Sequence, residues 1–526
     1  MKVLVSDQIA EEGIRILGQY ATVDIQLELS PEDLQSIIKN YDGLVVRSQT
    51  KVTNSIIDSA DKLRVIGRVG VGVDNIDVDS ATRHGIVVVN SPEGNIISTA
   101  EHTIAMLLSL VRHIPQAHGQ LHSGVWNRSF KGVQVRNKLM GIVGLGRVGS
   151  EVADMAQGLH MDIIAYDPMV SESRADKLGI QMVSLDDLLA RADFITVHVP
   201  LSPATRGLIG SEQLKLMKPT TMIINCARGG IVDEVALYEA LERRQVAGAA
   251  IDVFSEEPAA NNILLKSDKV ITTPHLAAST VEAEKSAGID IADQVAAVLR
   301  GDQPKSPVNI PKIPAEAMST VTGHIQVGIT IGNIAAQLME GQLQSLTFIY
   351  QGDIVQEDTT PIKIAVLTGL LEHLTEERVN MVNADTIAKS RGLLVREQKD
   401  STCENYSSML TVVLETKFGS TQVAGALLRG KPHLIRVNDF WLEIKPTGSY
   451  MLFTEHKDRP GMIGAVGTII GDTGINISQM QVGRGVQRGG AAMMVICLDN
   501  RLTQECHEQI KAIPDMNKVL IVKLSE

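Results

Sequence analysis

The stretch Leu139-Met140-Gly141-Ile142-Val143-Gly144-Leu145-Gly146-Arg147-Val148-Gly149-Ser150-Glu151-Val152-Ala153 decides the fold. Its first five residues are apolar and read as a buried strand, and the residues from Ser150 read as a helix. Gly144, Gly146 and Gly149 punctuate the turn between them. A second apolar run, Asp162-Ile163-Ile164-Ala165-Tyr166, ends at Asp167. Strand, glycine turn, helix, strand and carboxylate make one βαβ unit. The glycines let the backbone approach a pyrophosphate, and the helix N-terminus offers it free N–H groups and a positive dipole end. Asp167 follows the turn by about 20 residues, where a carboxylate accepts hydrogen bonds from both ribose hydroxyls and repels a 2′-phosphate. The expectation is a dinucleotide site that takes NAD in preference to NADP.

The whole chain has 526 residues, enough for roughly three or four domains. At 44% hydrophobic and 21% charged residues it reads as globular. A net charge of -12 argues against nucleic acid and anionic membranes as partners, so an anionic substrate must be gathered by local arginines. Cys226, Cys403, Cys497 and Cys506 have neither disulfide-framework nor metal-ligand spacing, so no metal is expected and a reducing cytoplasm is. Met1-Lys2-Val3-Leu4-Val5 reads as a core strand and not a signal peptide, and no apolar run approaches a membrane span.

Short apolar strands alternate with helices over residues 1–96, as at Lys2–Ser6, Gly43–Arg47, Val65–Arg68 and Ile86–Asn90. One long helix is expected from Ser98 to His118. The unit holding the glycine turn spans 97–282, with strands at Phe194–Val199, Met222–Cys226, Gly248–Val253 and Val270–Thr273. A helix over 283–300, stopped by Gly301, is expected to return to the first unit. Residues 1–96 and 283–305 then form a substrate-binding domain into which the nucleotide domain is inserted. Gln303 through Pro311 and Pro314 reads as a linker. A mixed α/β region covers 315–440, and 449–526 reads strand, helix, strand, strand, helix, strand. The fold class is α/β, with two Rossmann-like parallel sheets followed by two smaller domains.

Polar residues cluster where strands of the nucleotide domain end. They are His198 through Thr205, Asn225-Cys226-Ala227-Arg228-Gly229-Gly230, Asp252 through Glu257-Pro258, and Thr273-Pro274-His275-Leu276-Ala277-Ala278. An arginine, an acid and a histidine in successive β–α connections suit oxidation of an α-hydroxy acid. A base takes the hydroxyl proton, a cation holds the carboxylate, and an acid supports the base as it becomes charged. His84, His102, His113, His118 and His122 have no such partners in this pattern and are expected to be structural or exposed. Trp126 is expected to be an interface or core anchor.

These motifs resemble the D-isomer-specific 2-hydroxyacid dehydrogenase family. The resemblance implies that Arg228 binds substrate, Glu257 supports the histidine and His275 is the acid/base. It also implies NAD contacts from Gly144, Gly146, Arg147, Val148, Gly149, Asp167, Thr205, Cys226, Ala227, Arg228, Asp252, His275 and Ala278. Ala277 stands where the family often has glycine, which bears on how closely the loop approaches the nicotinamide. Arg47 and Arg68 end neighbouring strands, with Ser48 following, and either fork onto a phosphate or pair with Asp42 or Asp74. These segments and the long C-terminal extension resemble the long-form D-3-phosphoglycerate dehydrogenases of that family. That implies oxidation of 3-phospho-D-glycerate to 3-phosphooxypyruvate with NAD, the first step of serine biosynthesis. It also implies a homo-oligomer, dimer or tetramer.

Thr454 through Gly464, with Asp458-Arg459-Pro460-Gly461 at its turn, resembles an ACT amino-acid sensor. His456, Asp458 and Asn476 are its expected contacts to L-serine, placed where two copies pair. Lys431, His433 and Arg436 form either an anion site or a solvated basic turn. Two other readings stay open at this point: a dehydrogenase for another acid such as glycerate or 2-hydroxyglutarate, and a non-catalytic NAD-sensing corepressor.

Overall fold

The computed structural model describes residues 1–311, 318–485, 487 and 489–524, with the side chains of 318–320 left aside. Pro314 and residues 315–317 of the intervening region lie outside the described residues. The first sheet is parallel and ordered Thr22–Ile25, Lys2–Val5, Gly43–Val46, Val65–Arg68, Val87–Asn90. Gly43–Val46 is buried at every position, as a strand covered on both faces must be. Helix Val281–Arg300 packs on this sheet through Ala287, Ile291, Val295 and Leu299, which share a core with Val3, Val45 and Val65. Thr280 caps its start by accepting from the Ala283 N–H, and Gly301 ends it at φ 90°. The chain thus leaves the first sheet after Asn90 and comes back to it after Thr280.

The excursion builds the second sheet, parallel and seven-stranded. Its order is Val270–Thr272, Gly248–Ile251, Met222–Asn225, Phe194–Val197, Leu139–Val143, Asp162–Tyr166, Gln181–Met182. Strand order reverses between Leu139–Val143 and Phe194–Val197, and a ligand crevice opens at such a switch point. The expected single helix before it is two, Ile96–Val111 and Ile114–His122. His113 breaks them at φ 52°, and Pro115 lies in the first turn of the second, where a missing N–H is tolerated, and could not continue the first. No residue of Ile114–His122 is buried, and Trp126 is 79% exposed, which rules out the core anchor.

The segment read as a linker is partly docked. The Val308 N–H donates to Val88 O at 2.8 Å, and Asn309 Oδ1 accepts from the Val88 N–H at 2.9 Å. It therefore satisfies the outer edge of Val87–Asn90 instead of hanging free.

A third, mixed sheet runs Leu394–Asp400, Leu343–Gly352, Ser408–Thr416, Gly419–Leu428, Lys431–Val437, Phe440–Ile444. The fourth is antiparallel, ordered Ile477–Arg484, Ala491–Leu498, Tyr450–Lys457, Met516–Lys523. Helices Met462–Asp472 and Gln504–Lys511 cover one of its faces, with Val466, Ile470 and Ile510 in that core. The other face carries Met451, Phe453, Met493 and Val495 into one core with Leu346, Phe348 and Leu442 of the third sheet. The last two units therefore share their hydrophobic interior.

The returning helix makes one of its close contacts between two glycines. A Cβ on Gly13, in helix Glu11–Leu17, would stand 2.7 Å from Gly288 O. Gly13→Ala is expected to destabilise the first unit by about 1–3 kcal/mol through overpacking. Denaturant unfolding followed by circular dichroism checks this, and an unmoved midpoint would contradict the packing.

Candidate active site

The nucleotide turn assigns each glycine a separate task. Gly144 has φ 98° and abuts His198 O, Gly146 faces open space, and a Cβ on Gly149 would sit 2.1 Å from Gly144 O. Helix Arg147–Gly158 begins directly behind Gly146, so its free N–H groups open onto the space that a pyrophosphate fits. Asp167 is half-buried at the end of the next strand. Its Oδ2 accepts from the Leu145 N–H at 2.9 Å and its Oδ1 from the Met169 N–H at 2.8 Å, which ties the carboxylate to the glycine turn. Arg147 is exposed and lies 3.5 Å from Glu93. Val148 packs against the domain core, and Ala227 and Ala278 are half-buried. Thr205 serves its own loop, donating to Pro200 O at 2.6 Å and accepting from the Ser202 N–H at 2.8 Å. Cys226 is buried, and burial pushes its thiol up to about 12, so it stays neutral.

His275 and Glu257 meet as expected. His275 Nδ1 lies 2.8 Å from Glu257 Oε2, and the Phe254 N–H donates to Glu257 Oε1 at 3.1 Å. Burial pushes the Glu257 carboxyl up, and these two bonds more than offset it, leaving it below the ordinary range. Donation from Nδ1 selects the tautomer whose lone pair is on Nε2, the atom a base uses. Gly229 brings the Arg228 loop against this pair, because its Cβ would stand 1.9 Å from the Phe254 carbonyl carbon.

The loop carrying His275 hangs on Asp252. Asp252 Oδ1 accepts from Thr273 Oγ1 at 2.5 Å and from the Leu276 N–H at 2.8 Å, and Oδ2 accepts from the Ala277 N–H at 3.0 Å. The His275 N–H donates to Asp252 O at 2.8 Å. These bonds fix His275 at φ 56°, in the left-handed region. The Asp252 side chain is fully buried, so its part here is to build the loop, and the expected direct cofactor contact has no exposed atom to make it. His102, expected to be structural or exposed, lies 3.2 Å from Thr273 Oγ1 and 3.4 Å from Asp252 Oδ1. Burial raises the Asp252 carboxyl, and the hydrogen bonds from His102, Thr273, Leu276 and Ala277 outweigh it and keep it ionised below the usual range. The Ala277 side chain joins the domain core, so its extra methyl points away from the cleft.

Three arginines converge across the cleft. Arg68 is drawn down to about 10 by burial and by the neighbouring Arg228 and Arg47 charges, with Asp74 and Asp7 opposing. Its Nε is buried without a partner among the described residues, an open donor beside two other cations. Arg228 lies 3.5 Å from Asp74, so that acid pairs with Arg228 and not with Arg47 or Arg68. Arg47 pairs with Glu284 at 2.9 Å instead of Asp42. Asp7 and Asn75, absent from the sequence reading, fix the Arg47 backbone: its N–H donates to Asp7 at 2.5 Å and its carbonyl accepts from Asn75 at 2.7 Å. Ser48 is exposed at the mouth of this loop.

The expected effector residues do not converge within one chain. Asp458 sits at one end of the fourth sheet, 3.3 Å from Arg484. Asn476 sits at the other end and donates to Asp499 at 2.9 Å. About seven residues of strand separate the two ends, on the order of 20 Å. His456 is buried, and burial lowers its basicity. In the third sheet, Arg436 stacks 5.2 Å from the Trp441 ring, and His433 Nδ1 turns to Lys431 O at 2.9 Å.

Asp252→Asn is expected to cost about 1–3 kcal/mol by leaving buried donors poorly paired. The folded carboxyl titrates below its unfolded value, so its contribution is present above about pH 4 and lost as pH falls through the folded value. Melting temperatures of both proteins across pH check this: the gap is constant near neutrality and closes in acid. A gap independent of pH would contradict it.

Residues 104–277 match the D-isomer specific 2-hydroxyacid dehydrogenase NAD binding domain. Residues 320–438 match the D-3-phosphoglycerate dehydrogenase intervening domain, and 450–515 match the ACT domain. The chain is 44% identical over 526 residues to a D-3-phosphoglycerate dehydrogenase of Synechocystis sp., covering 99% of this chain and 95% of that protein. It is 43% identical to one of Methanocaldococcus jannaschii, with 100% of both covered. The structure of the TT0316 protein from Thermus thermophilus is 29% identical and superposes with a TM-score of 0.55, covering 59% of this chain and 100% of that one. The chain belongs to the D-isomer specific 2-hydroxyacid dehydrogenase family, in the branch that carries an intervening domain and an ACT domain.

Proposed function

We propose that this chain is an NAD-dependent D-3-phosphoglycerate dehydrogenase, oxidising the C2 hydroxyl of 3-phospho-D-glycerate to the ketone of 3-phosphooxypyruvate. The observation that carries this reading is the 2.8 Å His275–Glu257 pair in the same cleft as Arg228, Arg68 and Arg47. His275 takes the hydroxyl proton at Nε2 as the C2–O bond becomes a carbonyl. Glu257 stabilises the imidazolium that results. Arg228 holds the substrate carboxylate, and Arg47 and Arg68 hold the phosphate, a dianion that suits forked guanidinium donors. Gly144, Gly146, Gly149 and the helix behind them would hold the NAD pyrophosphate, with Asp167 at the ribose. The chemistry supplied there by bound NAD would be acceptance of the C2 hydride.

NADH formation from 3-phosphoglycerate tests this directly. His275→Ala is expected to cut turnover roughly 10²–10⁴-fold while NAD binding survives. Turnover near the wild-type level in that variant, or none with 3-phosphoglycerate in the wild type, would overturn the reading.

The same reading extends to regulation and assembly. L-serine binds the C-terminal unit, with Asp458 for its ammonium and Asn476 for its polar atoms. The two lie at opposite ends of one sheet, so a bridged site needs a second copy of the chain, which supports a homo-oligomer. All four cysteines are free, as suits the cytoplasm, and no helix among the described residues is long and apolar enough to cross a membrane. Deleting residues from 449 onward would uncover the shared core, so the test is a point change. Asp458→Ala is expected to abolish inhibition by L-serine. Inhibition unchanged in that variant would remove Asp458 from the effector site.

A further inference from the structure

Of the three arginines in the cleft, Arg47 has the shortest contact to a carboxylate. Glu284 Oε1 accepts from Arg47 Nη2 at 2.9 Å, whereas Asp74 stands 3.5 Å from Arg228. The two ends of the Arg47 contact are unequal. Arg47 is pinned through its backbone by Asp7 and Asn75, and its Nη1 reaches Gln8 O at 3.4 Å. Glu284 sits in the first turn of the returning helix with its side chain 44% exposed, free to swing into solvent. Lys285, next in the chain, is taken by Glu12 at 2.6 Å and does not restrain it.

We propose that Glu284 is a built-in counterion that occupies the phosphate's place on Arg47, and that it sets how strongly the cleft prefers phosphorylated over unphosphorylated hydroxy acids. The proposal rests on the reading that Arg47 and Arg68 take the substrate phosphate. A dianion cannot share Arg47 with a carboxylate at contact distance, because like charges a few ångströms apart repel. Binding therefore requires Glu284 to leave Arg47. An acid without a phosphate never displaces it, so that substrate gains nothing from the exchange. In the empty cleft the same contact keeps Arg47 from holding stray inorganic phosphate. A carboxylate in the first turn also stabilises its helix. That function alone would move thermal stability but would not distinguish substrates.

The test is Glu284→Gln, which keeps the shape and removes the charge. A half-exposed ion pair of this kind corresponds to a change of roughly two- to fivefold. KM for 3-phosphoglycerate is expected to fall by that factor, and the dissociation constant for inorganic phosphate, measured by calorimetry on the full-length protein, to fall with it. KM for an unphosphorylated 2-hydroxy acid is expected to stay put. In an Arg47→Gln background, Glu284→Gln is expected to change none of these. Equal shifts for both substrates, phosphate binding that does not tighten, or a lower melting temperature as the sole effect would overturn the proposal. Absence of 3-phosphoglycerate turnover in the wild type would instead count against the assigned substrate, and the phosphate titration would still judge Glu284.

Discussion

The buried carboxylate of Asp252 is the interaction on which the site depends. It accepts from Thr273, Leu276 and Ala277, and its own carbonyl receives the His275 N–H. Together these bonds fix the left-handed backbone of His275, whose ring meets Glu257. A charge placed out of water is costly unless hydrogen bonds surround it. Here those bonds come from the one loop that must be rigid, so the cost of burying the charge and the rigidity of the base have a common origin. His102 closes the arrangement from the helix that links the first two units, joining the base to the frame of the cleft.

The cleft itself follows from topology. The first sheet would be uncovered on one side if the chain did not return along Val281–Arg300, and that return places Glu284 next to Arg47. Inserting one parallel domain into another thus brings strand ends of both sheets to face each other. Arginines from both meet there, and their mutual repulsion is balanced by carboxylates at the rim. An anionic ligand would relieve that repulsion, which is the physical reason an overall acidic protein can bind a multiply charged acid.

Local chemistry is legible in the sequence and distant pairing is not. Gly144 through Gly149 and Asp167 lie within one short βαβ unit, and their spacing alone describes the turn. His275 and Glu257 are readable because both sit at strand ends in a fixed order. By contrast, Arg47 and Glu284 are separated by 237 positions, and His102 and Thr273 by 171. No periodicity in a single sequence records such contacts. The break at His113 escapes a reading by apolar spacing, which continues through it, although Pro115 is the available signal. Asp252 is recognisable as part of a motif, but its burial depends on the Thr273 loop closing over it. The linker's pairing with Val87–Asn90 and the core shared by the last two units likewise depend on which surfaces meet.

Hydride transfer from C2 of a phosphorylated hydroxy acid to NAD is the reaction this cleft is proposed to perform. Its most direct measurement is the fate of deuterium placed at C2 of 3-phospho-D-glycerate. Mass spectrometry is expected to find the deuterium in the reduced nicotinamide and none in the 3-phosphooxypyruvate. Unlabelled NADH, or deuterium lost to water, would contradict it.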